Sequence, residues 1–345
     1  MSPYDSDSQT VSSNDQHDSV DAPIERRESP RTTLSSRTNL YRALSVLAVA
    51  GLATAWMMKP ATPSTARASN NGAAVASDAE ERDVMVLDAI IRDFRPRDAE
   101  GGHPDFQAFS GTTTVGLVAD RLGKDGRPAF SDARGKKIES EYRDAEGRAI
   151  NPALFDSSRG DVAGELVDGG SGNGVASEAS FGQWYQDLPG VNLSKRIALE
   201  LEFDAESGSY VFDSAKDEPY ASIGGFFPIN DDLYGNYSSG KNFHFTTEVR
   251  TEFLYRRGTG QVFTFTGDDD VWVYVDGRLV IDLGGLHPKR GQTIDLDRLD
   301  WLVDGTMYPL DIFHAERRTS QSNFRIETTI QMKSLEMPPT SALFD

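Results

Sequence analysis

The stretch VFTFTGDDDVWVYVDGRLVIDL, residues 262–283, contains three apolar runs separated by two turns. The dipeptide Asp276-Gly277 between the second and third runs predicts a β-hairpin, because a type I′ turn needs positive φ at both central residues. Three consecutive aspartates, Asp268–Asp270, separate the first two runs. Carboxylates crowded at a strand end repel one another unless solvent, an arginine or a metal ion lies among them.

The same pattern of short runs bounded by Gly and Asp turns continues along the chain. Further predicted strands cover residues 195–203, 209–213, 242–255, 308–313 and 324–332. The first two flank Ser207-Gly208 and predict a second hairpin, and the last two are predicted to form a closing pair. Since no long segment repeats its apolar residues at helical spacing, the chain is predicted to be mainly β, an antiparallel sandwich or barrel with long loops.

The composition excludes several classes of function. The chain has 345 residues, a formal net charge of −19 and no cysteine. Nucleic-acid recognition needs a basic patch, so nucleic acid is excluded as a partner. Disulfides, thiolate zinc sites and a cysteine nucleophile are excluded as well. An ion such as calcium, bound only by the native state, is one alternative way to stabilise such a chain.

The N-terminal part of the chain predicts export. The predicted segments are a disordered tail (1–39), a signal anchor or signal peptide (40–59), a linker (60–83), the β domain (84–336) and a C-terminal tail (337–345). The apolar run Ala43–Met58 follows several arginines, which places the β domain on the extracytoplasmic side, whether periplasmic, cell-surface or secreted. An uncleaved anchor gives a membrane attachment, whereas Ala66-Arg67-Ala68 is a cleavage candidate for the alternative.

The acidic loop is the first candidate for chemistry. Calcium takes six to eight oxygen ligands, and clustered carboxylates suit it. The loop Ala315–Asn323 offers Glu316, Gln321 and Asn323 as further oxygen donors if it folds beside the aspartates. The alternative is a pair of solvated turns, with Glu316 and the arginines after it exposed to water.

Other chemistries have weaker support in the sequence. A glycosidase pair of Asp269 and Glu316 needs a defined carboxyl separation that a sequence does not show. A zinc site built from His287, His314 and a carboxylate lacks a zinc-motif spacing. His244 and His314 lie in strand runs and are predicted to be packed, hydrogen-bonded histidines.

Aromatic residues beside the acidic loop leave two interpretations open. Trp272 and Tyr274 share one face of a strand, where they form either a platform for sugar rings or part of the core. The candidates for ligand contact are Trp272, Arg317 and Arg318.

Five strings together resemble one known family. They are RDFRPRDAEGGHPDFQAF (92–109), FGQWYQDLPGVNLS (181–194), NFHFTTEVRTEFLY (242–255), VFTFTGDDDVWVYVDGRLVIDLGGLH (262–287) and YPLDIFHAERRTSQSNFRIETTI (308–330). They occur in the order seen in fibro-slime domain proteins, a family related to the PA14 superfamily, and the resemblance covers about residues 84–333. It implies a PA14-like β-sandwich barrel.

The resemblance also implies a ligand site. In PA14-type adhesins an adjacent Asp pair, often joined by a cis peptide, binds calcium, and the ion contacts sugar hydroxyls. Asp268 and Asp269 match that pair. The Asn that completes the shell in adhesins falls at or near Glu316, a departure that adds charge, and Asp270 and Asn323 are the alternative ligands. The implied function is an exported, calcium-dependent carbohydrate-binding or adhesion module. An envelope or matrix scaffold stabilised by calcium and a glycan hydrolase are the alternatives.

Overall fold

The computed structural model describes residues 83–169 and 174–336. The predicted disordered tail, the apolar run, nearly all of the linker and the C-terminal tail lie outside these residues. Among the helices that the structure describes, none is both long and apolar enough to cross a membrane.

The described residues are mainly β, as predicted. The strands are β1 (Val84–Phe94), β2 (Thr114–Val115), β3 (Val118–Leu122), β4 (Pro128–Phe130), β5 (Lys136–Ser140), β6 (Glu165–Asp168), β7 (Asn192–Asp204), β8 (Ser209–Asp213), β9 (Phe245–Leu254), β10 (Val262–Gly267), β11 (Asp270–Val275), β12 (Arg278–Leu283), β13 (Arg290–Asp295), β14 (Met307–Glu316), β15 (Phe324–Thr328) and β16 (Met332–Ser334). The helices are short: α1 (Glu178–Phe181), α2 (Tyr220–Ile223) and the 3-10 turns Pro152–Leu154, Ser157–Arg159, Ser238–Gly240 and Leu296–Arg298.

One large antiparallel sheet dominates the domain and curls into a half-barrel. Its strand order is β13-β10-β15-β8-β7-β1-β9-β14-β11-β12-β3-β4, with β16 added beside β9, and β2, β5 and β6 form a small second sheet. The curl brings β12 and β13 together, because the Asp282 N–H donates to Gln292 Oε1 at 2.9 Å and Gln292 Nε2 donates to the Asp282 carbonyl at 3.0 Å.

Strand β11 lies between two hydrophobic clusters, which explains its uninterrupted apolar sequence. Val271, Val273 and Val275 point into the larger cluster, which also contains the aromatic side chains of β9, β10 and β15. Trp272 and Tyr274 point the other way, into a smaller aromatic cluster. A strand buried on both faces is expected to be apolar at every position rather than at alternate ones.

Both predicted hairpins form. β11 pairs with β12 across Asp276 and Gly277, whose φ angles are 53° and 68°, as a type I′ turn requires. β7 likewise pairs with β8.

The predicted closing pair of β14 and β15 is wrong. β14 pairs with β9 along its whole length and with β11 over residues 310–315, and β15 lies between β8 and β10. Alternation identifies a strand, but the choice of partner is set by long-range packing that the local pattern does not contain.

This topology positions two loops side by side. At the start of β11, Asp270 pairs with Ala315 near the end of β14. At the end of β10, Gly267 pairs with Phe324 at the start of β15. The β10–β11 turn and the β14–β15 loop therefore meet at one end of the sheet, and both carry the acidic candidates.

Candidate functional site at the acidic loop

Asp269 occupies the tip of the β10–β11 turn. Its φ of 56° lies in the left-handed region, a sparsely populated conformation that tends to persist at functional sites. Its Oδ2 accepts hydrogen bonds from the N–H groups of Arg317 at 2.9 Å and Arg318 at 3.1 Å. Its Oδ1 has no hydrogen-bond partner within the described residues. The Asp268–Asp269 peptide is trans, which departs from the adhesin pattern, since the cis bond in the described ranges is Glu218–Pro219.

Asp268 is bound to the second loop through Asn323. The Asn323 N–H donates to Asp268 Oδ1, and Asn323 Nδ2 donates to Asp268 Oδ2 at 3.0 Å. Asn323 thus orients one carboxylate of the pair in this structure. Burial raises the pKa of Asp268, and the hydrogen bonds from Asn323 oppose that rise.

Asp270 forms a buried ion pair with Arg317. Arg317 Nε donates to Asp270 Oδ2 at 2.6 Å, and both side chains are fully buried. The guanidinium also donates to the Gly174 carbonyl at 3.3 Å and lies 4.8 Å from the ring centroid of Trp184. Burial alone would lower the pKa of Arg317, but the carboxylates of Asp270 and Asp269 outweigh it and raise that pKa. The arginine is therefore a fixed cation beneath the acidic loop.

Glu316 is the most unusual member of the site. It is fully buried, and neither carboxylate oxygen has a hydrogen-bond partner. The nearby Ser322 hydroxyl donates instead to the Phe226 carbonyl at 2.7 Å. Burial, followed by the charges of Asp269 and Asp268, holds the pKa of Glu316 well above its usual range, although the nearby Ser322 hydroxyl and Arg318 N–H oppose the rise. A buried carboxylate without a partner is costly, and protonation or a bound cation lowers that cost.

An open cavity of about 280 Å³ lies over the two loops. Asp268 and Asp269 line it together with Gly111, Leu286, His287, Arg318, Thr319 and Gln321. Arg318 is exposed and lines it, whereas Glu316 and Arg317 are buried and are not among the lining residues. The alternative of a solvated turn is wrong, because the side chains of Asp268–Asp270, Glu316 and Arg317 are all buried.

The charges in this site do not balance by themselves. Four carboxyls face one buried guanidinium, and burial raises the pKa of Asp269 to about 8, although Arg317 opposes the rise. The unpartnered oxygens of Asp269 and Glu316 are hard donors that suit calcium. No group of three or more His, Asp or Glu side chains arranged for a metal occurs in the part of the chain that the structure describes. A calcium ion here would therefore need carbonyl, water or ligand oxygens in addition to these two carboxyls.

The remaining predicted residues are structural in this fold. Trp272 is fully buried, packs against Phe181 and Trp184, and donates to Asp282 at 3.1 Å, so the core interpretation holds for it. His314 is also buried, with its Nδ1 3.3 Å from the Thr247 hydroxyl. His244 is packed as predicted.

Gln107 was not singled out from the sequence, and His287 was considered there only as a possible zinc ligand. Gln107 donates its backbone N–H to the Arg317 carbonyl at 2.7 Å, and its side chain is bonded to Thr319. His287 lines the cavity, and its carbonyl accepts from the Asp269 N–H at 3.5 Å. Both lie within the strings that carry the family resemblance, which was the available signal.

Comparison with known proteins supports the resemblance. Residues 227–339 match the PA14 domain. This part of the chain is PA14-like. It is similar to protein psiR of Dictyostelium discoideum, with 32% identity over 265 residues, and to protein psiC of the same organism, with 36% identity over 171 residues. The resemblance to fibro-slime and PA14-like proteins is thereby confirmed.

The PA14-like domain accounts for only part of these relatives. The alignment with psiR covers 74% of this chain and 22% of psiR, and that with psiC covers 47% and 31%. Among solved structures, the epithelial adhesin 6 A domain of Candida glabrata, in complex with Galb1-3GlcNAc, aligns with 28% of this chain and 47% of its own. At a TM-score of 0.15 and 18% identity, that alignment carries no argument about this protein.

Proposed function

We propose that this PA14-like domain is an exported carbohydrate-binding module whose ligand site is the cavity over the acidic loop, with calcium held by Asp269 and Glu316. The observation that supports it is the pair of unpartnered carboxylate oxygens on the buried Glu316, which lies close enough to the cavity-lining Asp269 and Asp268 to feel their charges. The PA14 match and the resemblance to PA14-type adhesins support a saccharide as the ligand. Binding rather than catalysis is the role assigned.

The groups around the aspartates have different roles. Asn323 and the backbone N–H groups of Arg317 and Arg318 fix the directions of the two aspartates before any ligand arrives. Arg317 neutralises Asp270, so that Asp270 stabilises the fold instead of competing for an ion. Pre-organisation of this kind lowers the entropy cost of binding.

Bound calcium would supply positive charge and open coordination positions for sugar hydroxyls. The cavity leaves room for these hydroxyls above Asp268 and Asp269, and the exposed Arg318 and the polar Thr319 and Gln321 stand at its wall to select among saccharides.

A calcium-stabilised scaffold is the second candidate. Glu316 is completely buried, so an ion bound to it would join β14 to the β10–β11 turn even if no sugar ever reached the cavity. The carbohydrate-binding module and the scaffold differ only in whether the bound ion also contacts a sugar.

The test combines thermal unfolding and glycan binding on the full chain. We expect calcium, but not magnesium, to raise the melting temperature of the wild type. The increase should be absent in Asp269→Asn and Glu316→Gln and kept in Glu206→Gln, a control at the exposed β7–β8 turn. A glycan array should show binding that EDTA removes. Calcium stabilisation without glycan binding supports the scaffold, and no calcium effect in any variant contradicts the metal site.

A further inference from the structure

A second cavity, of about 370 Å³, lies outside the acidic site. It is formed by the segment after β1 and by the loop that precedes β9. The residues that carry its chemistry are Arg95, Asp98, Tyr234, Tyr237 and His244.

The loop that forms one wall is held in place by buried hydrogen bonds. Asp93 is fully buried, and its two oxygens accept from Asn242 Nδ2 at 2.9 Å and from the Tyr234 N–H at 2.7 Å. Asn236 is bonded to Asp231 in both directions, at 2.7 and 2.8 Å. This frame fixes the loop before a ligand binds.

The same loop stores backbone strain. Asp231, Leu233 and Ser239 all have φ between 55° and 60°, which costs residues other than glycine free energy. Strained conformations persist where the surrounding structure enforces them, and they cluster at binding sites. Here the hydrogen bonds of Asp93 and Asn236 supply that enforcement.

Some of the polar groups that line the cavity have no hydrogen-bond partner in the described part of the protein. Arg95 Cζ lies 3.8 Å from the ring centroid of Tyr234, and within the described residues its guanidinium has no hydrogen-bond acceptor and no carboxylate within 4 Å. Tyr237 remains 40% exposed, and its hydroxyl donates to Asp98 at 3.1 Å. The cavity thus offers free donors, a carboxylate acceptor and an exposed aromatic ring.

The charges of this cavity favour an uncharged ligand. Arg95 and Asp98 cancel, and burial lowers the pKa of His244 to about 4, so its imidazole is neutral at physiological pH. A pyranose ring presents hydroxyls that both donate and accept, and it presents an apolar face that packs on aromatic rings. We propose that this cavity is a saccharide-binding site for a neutral sugar, with Tyr237 as the stacking ring and Arg95 and Asp98 as hydroxyl partners.

Gln107 connects this site to the acidic cavity. Its Oε1 lies 3.1 Å from His244 Nε2 on one side and accepts from the Thr319 N–H at 3.3 Å on the other. His244 lines this cavity and Thr319 lines the acidic one, so the Gln107 side chain links residues of the two cavities. The proposed sugar site needs no metal and is independent of the function proposed for the acidic loop.

The experiment follows the Arg95 Nε–H signal by ¹⁵N NMR on the full chain, with Arg95→Lys to assign it. The probes are neutral gluco-, galacto-, manno- and xylo-oligosaccharides at millimolar concentration. At least one should shift the signal in a saturable way, equally in EDTA and in Asp269→Asn. Tyr237→Ala should weaken that binding about tenfold, ~1.4 kcal/mol, whereas Tyr237→Phe should keep most of it.

Two results overturn the proposal. One is an Arg95 signal that no probe in the panel moves, and the other is equal affinity of Tyr237→Ala and wild type. Because Tyr237 is partly exposed, its replacement should leave folding intact, which the melting temperature checks. Both results would overturn the sugar site at this cavity whether or not the acidic loop binds calcium or sugar. The experiment therefore distinguishes failure of this proposal from failure of the function proposed for the acidic loop.

Discussion

Arg317 Nε lies 2.6 Å from Asp270 Oδ2, and solvent reaches neither side chain. Removing one partner of a buried pair leaves an uncompensated charge, which costs ~3–5 kcal/mol. We therefore expect Arg317→Met to lower the free energy of unfolding by about that amount in urea titrations. The neighbouring Arg318→Gln is the control, because Arg318 is exposed and its replacement should cost less than ~1 kcal/mol. Equal losses in the two variants would show that Arg317 is not the main counter-charge.

His244 gives a pH dependence whose sign can be stated. Burial lowers its pKa from 6.5 to about 4 in the folded protein. Between these values the unfolded chain binds a proton that the folded chain does not, so this residue's contribution to stability falls as pH drops through the window. The contribution amounts to about 3 kcal/mol at most.

His244→Gln keeps a donor for Gln107 but does not titrate. Its free energy of unfolding should therefore rise relative to that of wild type as the pH falls from about 7 to about 4.5. Other groups, including Asp93, titrate in the same range and cancel in this difference. A difference that does not change with pH would contradict the lowered pKa.

Phe226 is the centre of the aromatic core. It is fully buried, and its ring stacks on Phe324 with centroids 4.5 Å apart and meets Phe245 edge-on at 5.9 Å. Phe226→Ala should cost ~3–5 kcal/mol in denaturant unfolding through lost burial and a cavity. Phe203→Ala removes the same atoms from a side chain that is 43% exposed, and it should cost clearly less. A similar cost for both would mean that the core closes around the missing ring.

The β11–β12 turn tests backbone conformation alone. Gly277 has a φ of 68°, and an added Cβ would meet no atom within 4 Å. Gly277→Ala should therefore cost ~1–2 kcal/mol through left-handed strain without any clash. Gly182 has an ordinary helical φ of −58°, and Gly182→Ala should be neutral or slightly stabilising. The melting temperatures of both variants test this difference. An unchanged melting temperature for Gly277→Ala would contradict strain at the turn.

The sequence predicted what local chemistry determines. The Asp276-Gly277 hairpin, the strand character of β10 and β11 and the meeting of the two acidic loops follow from turn preferences and from strings that carry the family resemblance. The wrong pairing of β14 with β15 shows the limit, since the partner of a strand depends on contacts between segments distant in sequence.

The candidate site was predicted only in part. The family resemblance implied Asp268, Asp269 and Glu316 as calcium ligands, which stays a prediction, and an arginine was among the possible counter-charges. The sequence did not reveal that Arg317 forms an ion pair with Asp270, nor that the Glu316 carboxylate has no hydrogen-bond partner among the described residues. Glu316 is the last residue of β14 and lies in a run that is buried on both faces, so its burial, like that of Arg317 after it, depends on long-range packing and not on local alternation.

The first and last described strands touch. Met85 Sδ lies 3.1 Å from the Met332 N–H, and the Asp88 N–H donates to Ser334 Oγ at 2.8 Å. A domain whose ends leave from neighbouring strands can be inserted into a loop of a host protein without separating the two ends of that loop. By the same geometry it should accept circular permutation, with a short linker from β16 to β1 and new termini opened at Ser207-Gly208.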